Sequence, residues 1–232
     1  RRVLFRSLAA GMLALAGWQP GVTLLDPMCG SGTIVCEAAM IAAKRAPGIA
    51  RTFGFEKLSN FDMRAWESLK QRARAAEQDL TQDTKNPLKT YTYASDLKGD
   101  ALKLARLNLE SLGMADAVTL KQANVLEMPP PAASGMIVTN PPYGVRLDEA
   151  DALAAFYPKL GDALKKNYAG WTAYLLSSDM TLPKKIGLAA SKRTPLFNGA
   201  LECRLFEYKI VAGSNRRRSE EHTSELQSRF GI

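Results

Sequence analysis

Leu24-Leu-Asp-Pro-Met-Cys-Gly-Ser-Gly-Thr33 is the stretch on which the fold turns. The apolar run Val22 to Leu25 meets a carboxylate, passes two glycines and enters Ile34 to Ala43, which is apolar nearly all round. That order reads as buried strand, tight loop, and a helix packed between a sheet and neighbouring helices. Gly30 and Gly32 let the backbone approach a ligand closely, and the helix N-terminus behind them offers N–H groups to an anion. Asp26, at the strand end, suits an ammonium, directly or through water. A strand-to-helix turn with no ligand carries the same two glycines, so the loop alone leaves both readings open.

A ligand bearing both a carboxylate and an ammonium fits this loop, and S-adenosyl-L-methionine bears both. Pyrophosphate cofactors fit less well. The dinucleotide fingerprint needs a third glycine at position 35, which is Val35, and the Gly-Lys-Ser/Thr ending of a phosphate loop is absent.

Working outward, Leu8, Met12 and Leu15 repeat at helical spacing until Gln19-Pro20-Gly21 breaks the pattern. Ala46-Pro47-Gly48 is expected to stop the helix after the glycine loop. Phe53 to Asp83, with Trp66, Leu69 and Ala73 at helical intervals among charges, reads as an inserted surface-lying helical segment ending near Asn86-Pro87. Thr90 to Ala94 is β-rich, and Ala101, Leu104, Ala105, Leu109 and Leu112 mark the inner stripe of a helix closed by Gly113. Further strands are expected at Ala117 to Lys121, Met136 to Thr139, Trp171 to Leu176, Lys192 to Phe197 and Cys203 to Ile210. Helices are expected near Asp151 to Asn167 and Leu182 to Ala190, so that only the last two strands lack a helix between them. Alternation of this kind implies an α/β fold, a mainly parallel sheet covered on both faces, with an antiparallel terminal hairpin through Asn198-Gly199.

The strand ends carry more candidates. Asp96 directly follows the second strand, where its carboxylate can accept hydrogen bonds from both ribose hydroxyls, and Leu97 can pack on an adenine. A local role at the start of the next helix is the alternative for Asp96, and Asp100 could fill that role equally well. Asn124, after the third strand, can accept from an adenine amino group through its amide oxygen; a loop-turn asparagine is an equally good reading.

The sharpest motif is Thr139-Asn140-Pro141-Pro142-Tyr143-Gly144. Two consecutive prolines after a buried strand impose an extended, rigid backbone and end sheet pairing. An exocyclic amine of guanine or adenine is a poor nucleophile, because its lone pair is delocalised into the ring, and it must be oriented to react. The Asn140 amide oxygen and a backbone carbonyl of the proline pair can accept its two N–H groups while Tyr143 stacks on the base. Asn140, Pro141, Pro142 and Tyr143 are the candidate catalytic group.

The 232 residues are 46% hydrophobic and 23% charged, enough for one substantial core. Arg1 to Ser7 and Arg218 to Ile232 resemble translated sequencing-library adapter, so the native domain is taken as 8–217. Without those ends the net charge is about +6, against +8 for the whole chain, still favouring a polyanionic partner. The one histidine, His222, lies in the adapter-like tail, so the chemistry must proceed without imidazole. Cys29, Cys36 and Cys203 form neither a zinc spacing nor a disulfide framework, which fits a reducing cytoplasm; no metal site is expected. The longest apolar stretch, Leu8 to Trp18, is too short to span a bilayer, and no membrane association is expected.

Asp26 to Thr33 together with Asn140 to Gly144 resembles the class I Rossmann-like methyltransferases that modify exocyclic amino groups. Adding Ala46-Pro47-Gly48, Phe53-Gly-Phe-Glu56, Trp66, Asn140 through Arg146, and Leu196 through Phe206, the chain is similar to the bacterial large-subunit (23S) rRNA guanine-N2 methyltransferase module over essentially the whole insert. The resemblance implies a seven-stranded sheet of order 3-2-1-4-5-7-6, S-adenosyl-L-methionine as cofactor, 23S rRNA or a ribosomal assembly intermediate as partner, and an RNA-binding THUMP domain in the full-length protein. It also implies that Asp26, Cys29, Gly30 and Gly32 surround the methionine part, Asp96 the ribose, Asn124 the adenine, and Asn140 with Tyr143 the target base; Pro27, inside the same turn, is a further cofactor-binding candidate. Asn124 departs from the family's usual aspartate. Related tRNA guanine-N2 enzymes share these motifs, and DNA adenine and glutamine-amide methyltransferases use the same Asn-Pro-Pro-Tyr core more distantly. A non-catalytic RNA-binding module on this fold is the reading from another class. For it, Lys184-Lys185, Lys192-Arg193 and Arg216-Arg217 would contact phosphates, although such pairs are also ordinary solvated surface.

Overall fold

The computed structural model describes residues 5–49, 51–77, 91–142 and 147–212. Its strands are β1 (Leu24–Asp26), β2 (Thr92–Asp96), β3 (Thr119–Gln122), β4 (Met136–Thr139), β5 (Thr172–Ser177), β6 (Lys192–Asn198) and β7 (Leu201–Lys209). Its α-helices are α1 (Arg6–Ala16), α2 (Thr33–Ala42), α3 (Met63–Ala76), α4 (Gly99–Ser111), α5 (Leu147–Asn167) and α6 (Leu182–Ile186).

The strands form one sheet in the order β3-β2-β1-β4-β5-β7-β6, as the family resemblance implies. β1 pairs in parallel with β2 on one side and β4 on the other, and β3 and β5 extend the parallel part outward. β7 inserts antiparallel between β5 and β6, and Asn198 pairs with Leu201 across a turn containing Gly199 at φ 64°. A left-handed residue there is what lets so short a turn match the twist of its strands.

Successive strand residues point to opposite faces, so each inner strand feeds two cores. Leu24, Val138 and Leu176 pack on one face with residues of α1, α2 and α4. Leu25, Ile137 and Leu175 pack on the other with residues of α5 and α6. Burial on both faces explains why these strands read as continuous apolar runs rather than alternating ones. Helix α3 has no buried residue; Asp62 caps it through the Ala65 N–H, and its Trp66 meets Phe53 and Phe55 edge-on. It is the surface-lying insert expected from the sequence, whose continuation through 78–90 lies outside the described residues.

Several boundaries differ from expectation. β1 begins at Leu24 because the Val22 N–H closes a turn onto the Gln19 carbonyl, and its last residue, Asp26, still pairs with Ala94. α2 ends at Ala42, ahead of Pro47, and α6 stops at Ile186 because Gly187 turns left-handed at φ 65°. The expectation that only the last two strands lack an intervening helix is corrected: 123–135 joins β3 to β4 without an α-helix. A single turn forms where Glu127 and Met128 donate to the Asn124 carbonyl, and Pro129, Pro130 and Pro131 then supply no N–H to continue it. Among the described residues no helix is long and apolar enough to cross a membrane.

Candidate functional site

β1 and β4 are adjacent and parallel, yet they lie where the sheet order reverses, so their carboxyl ends flank the crevice in which open α/β sheets bind ligands. Asp26 closes β1 and is 1% exposed. Its Oδ1 accepts from the Thr139 hydroxyl at 2.7 Å and from the Met28 N–H at 3.3 Å. Asn140 follows Thr139 directly, so the bond between these two strand ends brings the glycine loop and the Asn-Pro-Pro motif to one cleft.

The Asn140 side-chain oxygen is buried and has no hydrogen-bond partner among the described residues. Leaving a buried acceptor unmatched costs about 1–3 kcal/mol. Trp66 Nε1, Thr92 Oγ1 and the Tyr208 hydroxyl also lack a partner among the described residues, so it is the place of the Asn140 oxygen, next to the joined ends of β1 and β4, that sets it apart. Pro141 is buried and Pro142 exposed. The Pro142 carbonyl accepts from the Tyr157 hydroxyl of α5 at 2.9 Å. Tyr143 lies outside the described residues.

The glycine loop leans on β2. Cys29, itself buried beside the buried Pro27, donates its N–H to the Ser95 carbonyl at 2.9 Å. Gly30, at φ 57°, donates its N–H to Asp96 Oδ2 at 2.9 Å, while Asp96 Oδ1 accepts from the Lys98 N–H at 3.0 Å. Asp96 is therefore a strut for the loop and a cap for the turn into α4, whatever else it binds. Gly32, the N-cap of α2 at φ 76°, is needed for a second reason: a Cβ there would lie 2.9 Å from the Ala105 Cβ of α4. The Asn108 amide, also on α4, holds the Ser31 carbonyl at 2.9 Å.

The structure sets the adenine-side candidates along the neighbouring strand ends. Leu97 is 64% exposed, and its carbonyl accepts from Gln122 at the end of β3. Asn124 is held in its own turn: its Oδ1 accepts from the Leu126 N–H at 3.1 Å and its amide donates to Glu127 at 2.9 Å. The same oxygen that was a candidate for adenine thus has a local donor.

Two residues at the site were given no role by the sequence reading. Thr139 reads as a strand residue, the only hint being a hydroxyl at the end of Met-Ile-Val-Thr. Tyr157 lies in a helix fifteen positions past Pro142, and nothing in the pattern links the two. Cys36, one turn into α2, is not a nucleophile candidate: burial pushes its thiol up to about 11, so it stays neutral at physiological pH.

Comparison with known proteins adds to this geometry. The profile of the RMKL-like methyltransferase domain matches residues 3–207. A relative in Shewanella sp. (strain W3-18-1), the ribosomal RNA large subunit methyltransferase K/L, is 41% identical over 216 residues, covering 92% of this chain and 30% of that protein. The protein of the same name in Shewanella amazonensis is 43% identical with the same coverage. The chain thus spans about 30% of the length of these curated relatives. Among solved structures, a possible methylase from Clostridium difficile 630 superposes with a TM-score of 0.81 at 33% identity, over 93% of this chain and 55% of that one. A putative methyltransferase solved in complex with SAH gives 0.78 at 30% identity, over 88% and 52%.

Proposed function

The chain belongs to the RMKL-like methyltransferase domain family, and from that footing we propose that it transfers a methyl group from S-adenosylmethionine to the exocyclic N2 of a guanine in 23S rRNA. The observation that carries the reading is the buried Asn140 oxygen, which has no hydrogen-bond partner among the described residues and lies one residue beyond the Thr139–Asp26 bond. An acceptor held open at that point suits an amine N–H that arrives with the substrate.

Two acceptors are needed to orient an exocyclic amine, one for each N–H. Asn140 Oδ1 supplies the first. The Pro142 carbonyl is engaged by Tyr157, so the Pro141 carbonyl is the backbone acceptor assigned to the second. Holding both hydrogens turns the nitrogen lone pair out of conjugation and toward the donor. Tyr143 is assigned to stacking on the base from its place in the motif.

On the donor side, Asp26 ends β1 beside the glycine turn with its carboxylate 1% exposed, and it is assigned the ammonium, a pairing that a charge-assisted hydrogen bond favours. Pro27, Cys29, Gly30 and Gly32 line the turn against the methionine part, and the first N–H groups of α2 face its carboxylate. Asp96 is assigned the ribose hydroxyls from its place at the end of β2, with Leu97 and Asn124 flanking the adenine. When bound, S-adenosylmethionine supplies an electrophilic methyl carbon.

The names of the relatives favour large-subunit rRNA over tRNA, and the fit to RNA agrees with the net charge of about +6 left without the adapter-like ends. Their greater length leaves room for the THUMP domain that the resemblance implies, and a bacterial cytoplasm is the compartment in which such RNA is modified. The test is transfer of labelled methyl to unmodified 23S rRNA, tRNA and DNA, followed by nucleoside analysis. N2-methylguanosine from 23S rRNA is expected. Label confined to tRNA would move the substrate to the alternative, and RNA binding with no transfer to any nucleic acid would favour a non-catalytic module.

A further inference from the structure

We propose that Tyr157 is the positioning residue of the acceptor loop, its hydroxyl fixing the Pro142 carbonyl so that Asn140 and the Pro141 carbonyl meet the target amine in one geometry. The inference rests on the methyl-transfer reading above and adds to it a residue that lies outside the Asn-Pro-Pro-Tyr motif.

The proline rings lock φ at Pro141 and Pro142, and the ring of Pro142 also holds Pro141 extended, but ψ of Pro142 stays free, and rotation about it swings the following peptide plane. The Pro142 carbonyl belongs to the peptide that leads into Tyr143. A 2.9 Å hydrogen bond from Tyr157 holds that plane and so constrains the rotation that proline chemistry cannot.

Tyr157 is itself well held. It is 3% exposed, sits in the core cluster with Leu25, Ile137 and Phe206, and meets Phe156 edge-on at 5.6 Å between ring centroids. Leu25 and Ile137 are neighbours in register on β1 and β4, immediately before the residues that form the cleft. One side chain thus ties the acceptor loop to the core beneath both strand ends. Packing alone explains the ring but gives no reason for its hydroxyl to end on a carbonyl of the loop. A misplacement of about 1 Å at a reacting centre costs on the order of a hundredfold in rate, so a loosened loop should show in turnover before it shows in stability.

The test is Tyr157→Phe, which keeps the ring and removes the hydroxyl. Pro142-Tyr143 is the one Pro-Tyr pair in the chain, so carbonyl-¹³C proline with ¹⁵N tyrosine gives a single carbonyl-to-amide cross-peak for that peptide. The expected result is a displaced cross-peak, kcat on unmodified 23S rRNA lower by about tenfold or more, and KM for S-adenosylmethionine within twofold of wild type. SAH affinity by calorimetry, also within twofold, shows that the variant is folded. An unmoved cross-peak overturns the proposal, as does a displaced one with unchanged kcat. Loss of SAH affinity in parallel with kcat assigns Tyr157 a general structural role and overturns it as well. If the wild-type chain transfers no methyl to RNA, the functional reading fails and this inference with it; if the wild type is active and the variant equally so, only this inference fails.

Discussion

Thr139 and Asp26 are joined by a 2.7 Å hydrogen bond between side chains that are each 1% exposed. They stand 113 positions apart in sequence, on adjacent parallel strands. The bond ties the carboxylate assigned to the cofactor's ammonium to the residue that precedes Asn140, the asparagine assigned to the target amine.

Thr139→Val removes the hydroxyl at nearly constant volume and leaves Asp26 short of a donor, a loss worth about 1–3 kcal/mol. Cofactor affinity should fall by about tenfold, while Thr139→Ser should stay close to wild type. Calorimetry on both variants decides it: if Val retains affinity and Ser loses it, the methyl group matters and the hydrogen bond does not.

Asn140→Ala should abolish methyl transfer and leave SAH affinity within about twofold, because the lost acceptor is assigned to the target and not to the donor. Since the Asn140 oxygen has no partner among the described residues, its removal should leave thermal stability equal or raised. Retained turnover on a native substrate, or a large fall in the melting temperature, would count against the assignment.

Asp96→Ala should do two things at once, because Asp96 accepts from the Gly30 and Lys98 N–H groups as well as being assigned the ribose. A loss of about 1–3 kcal/mol in urea unfolding is expected alongside weaker cofactor binding. Equal affinity with reduced stability would leave Asp96 as a strut alone.

Gly32→Ala meets both a left-handed backbone at φ 76° and the Ala105 Cβ at 2.9 Å. The expected cost is about 1–3 kcal/mol, and denaturant unfolding against wild type measures it. A neutral result would mean that α2 and α4 separate freely at this contact.

Tyr168, fully buried, has its phenol pushed up to about 12 from 10.0 by desolvation. Below pH 10 it is protonated in both folded and unfolded chains, and its contribution to stability is complete. Between about pH 10 and 12 the unfolded chain ionises first, so stability falls by about 1.4 kcal/mol per pH unit from this group. Tyr168→Phe should flatten the alkaline limb of stability against pH by that amount, and an unchanged slope would remove Tyr168 as its source.

The fold was legible because its elements are written in local patterns. Continuous apolar runs such as Leu24-Leu25 and Ile137-Val138 announce strands buried on both faces, and the stripe through Ala105 and Leu109 announces a helix on one. The β3–β4 connection was misread because the rhythm of strand and helix was extended across Pro129 to Pro131, where three prolines forbid it. The antiparallel hairpin of β6 and β7 was readable at Asn198-Gly199, but the place of β7 between β5 and β6 came from family resemblance, since no local pattern states which strand a returning segment will join.

At the site, the sequence by itself determined the chemistry on offer: a carboxylate at a strand end, a glycine turn, and an amide locked beside two prolines. These are covalent facts of neighbouring residues, and local backbone rules suffice to read them. Only the tertiary structure decided that Thr139 grips Asp26, that Gly30 rests on Asp96, that Gly32 makes room for Ala105, and that Tyr157 reaches Pro142. It also turned the Asn124 side chain into its own loop. The reason is physical: a hydrogen bond or a close contact between distant residues depends on strand order and helix packing, which the whole core sets together, and no single stretch of chain encodes it.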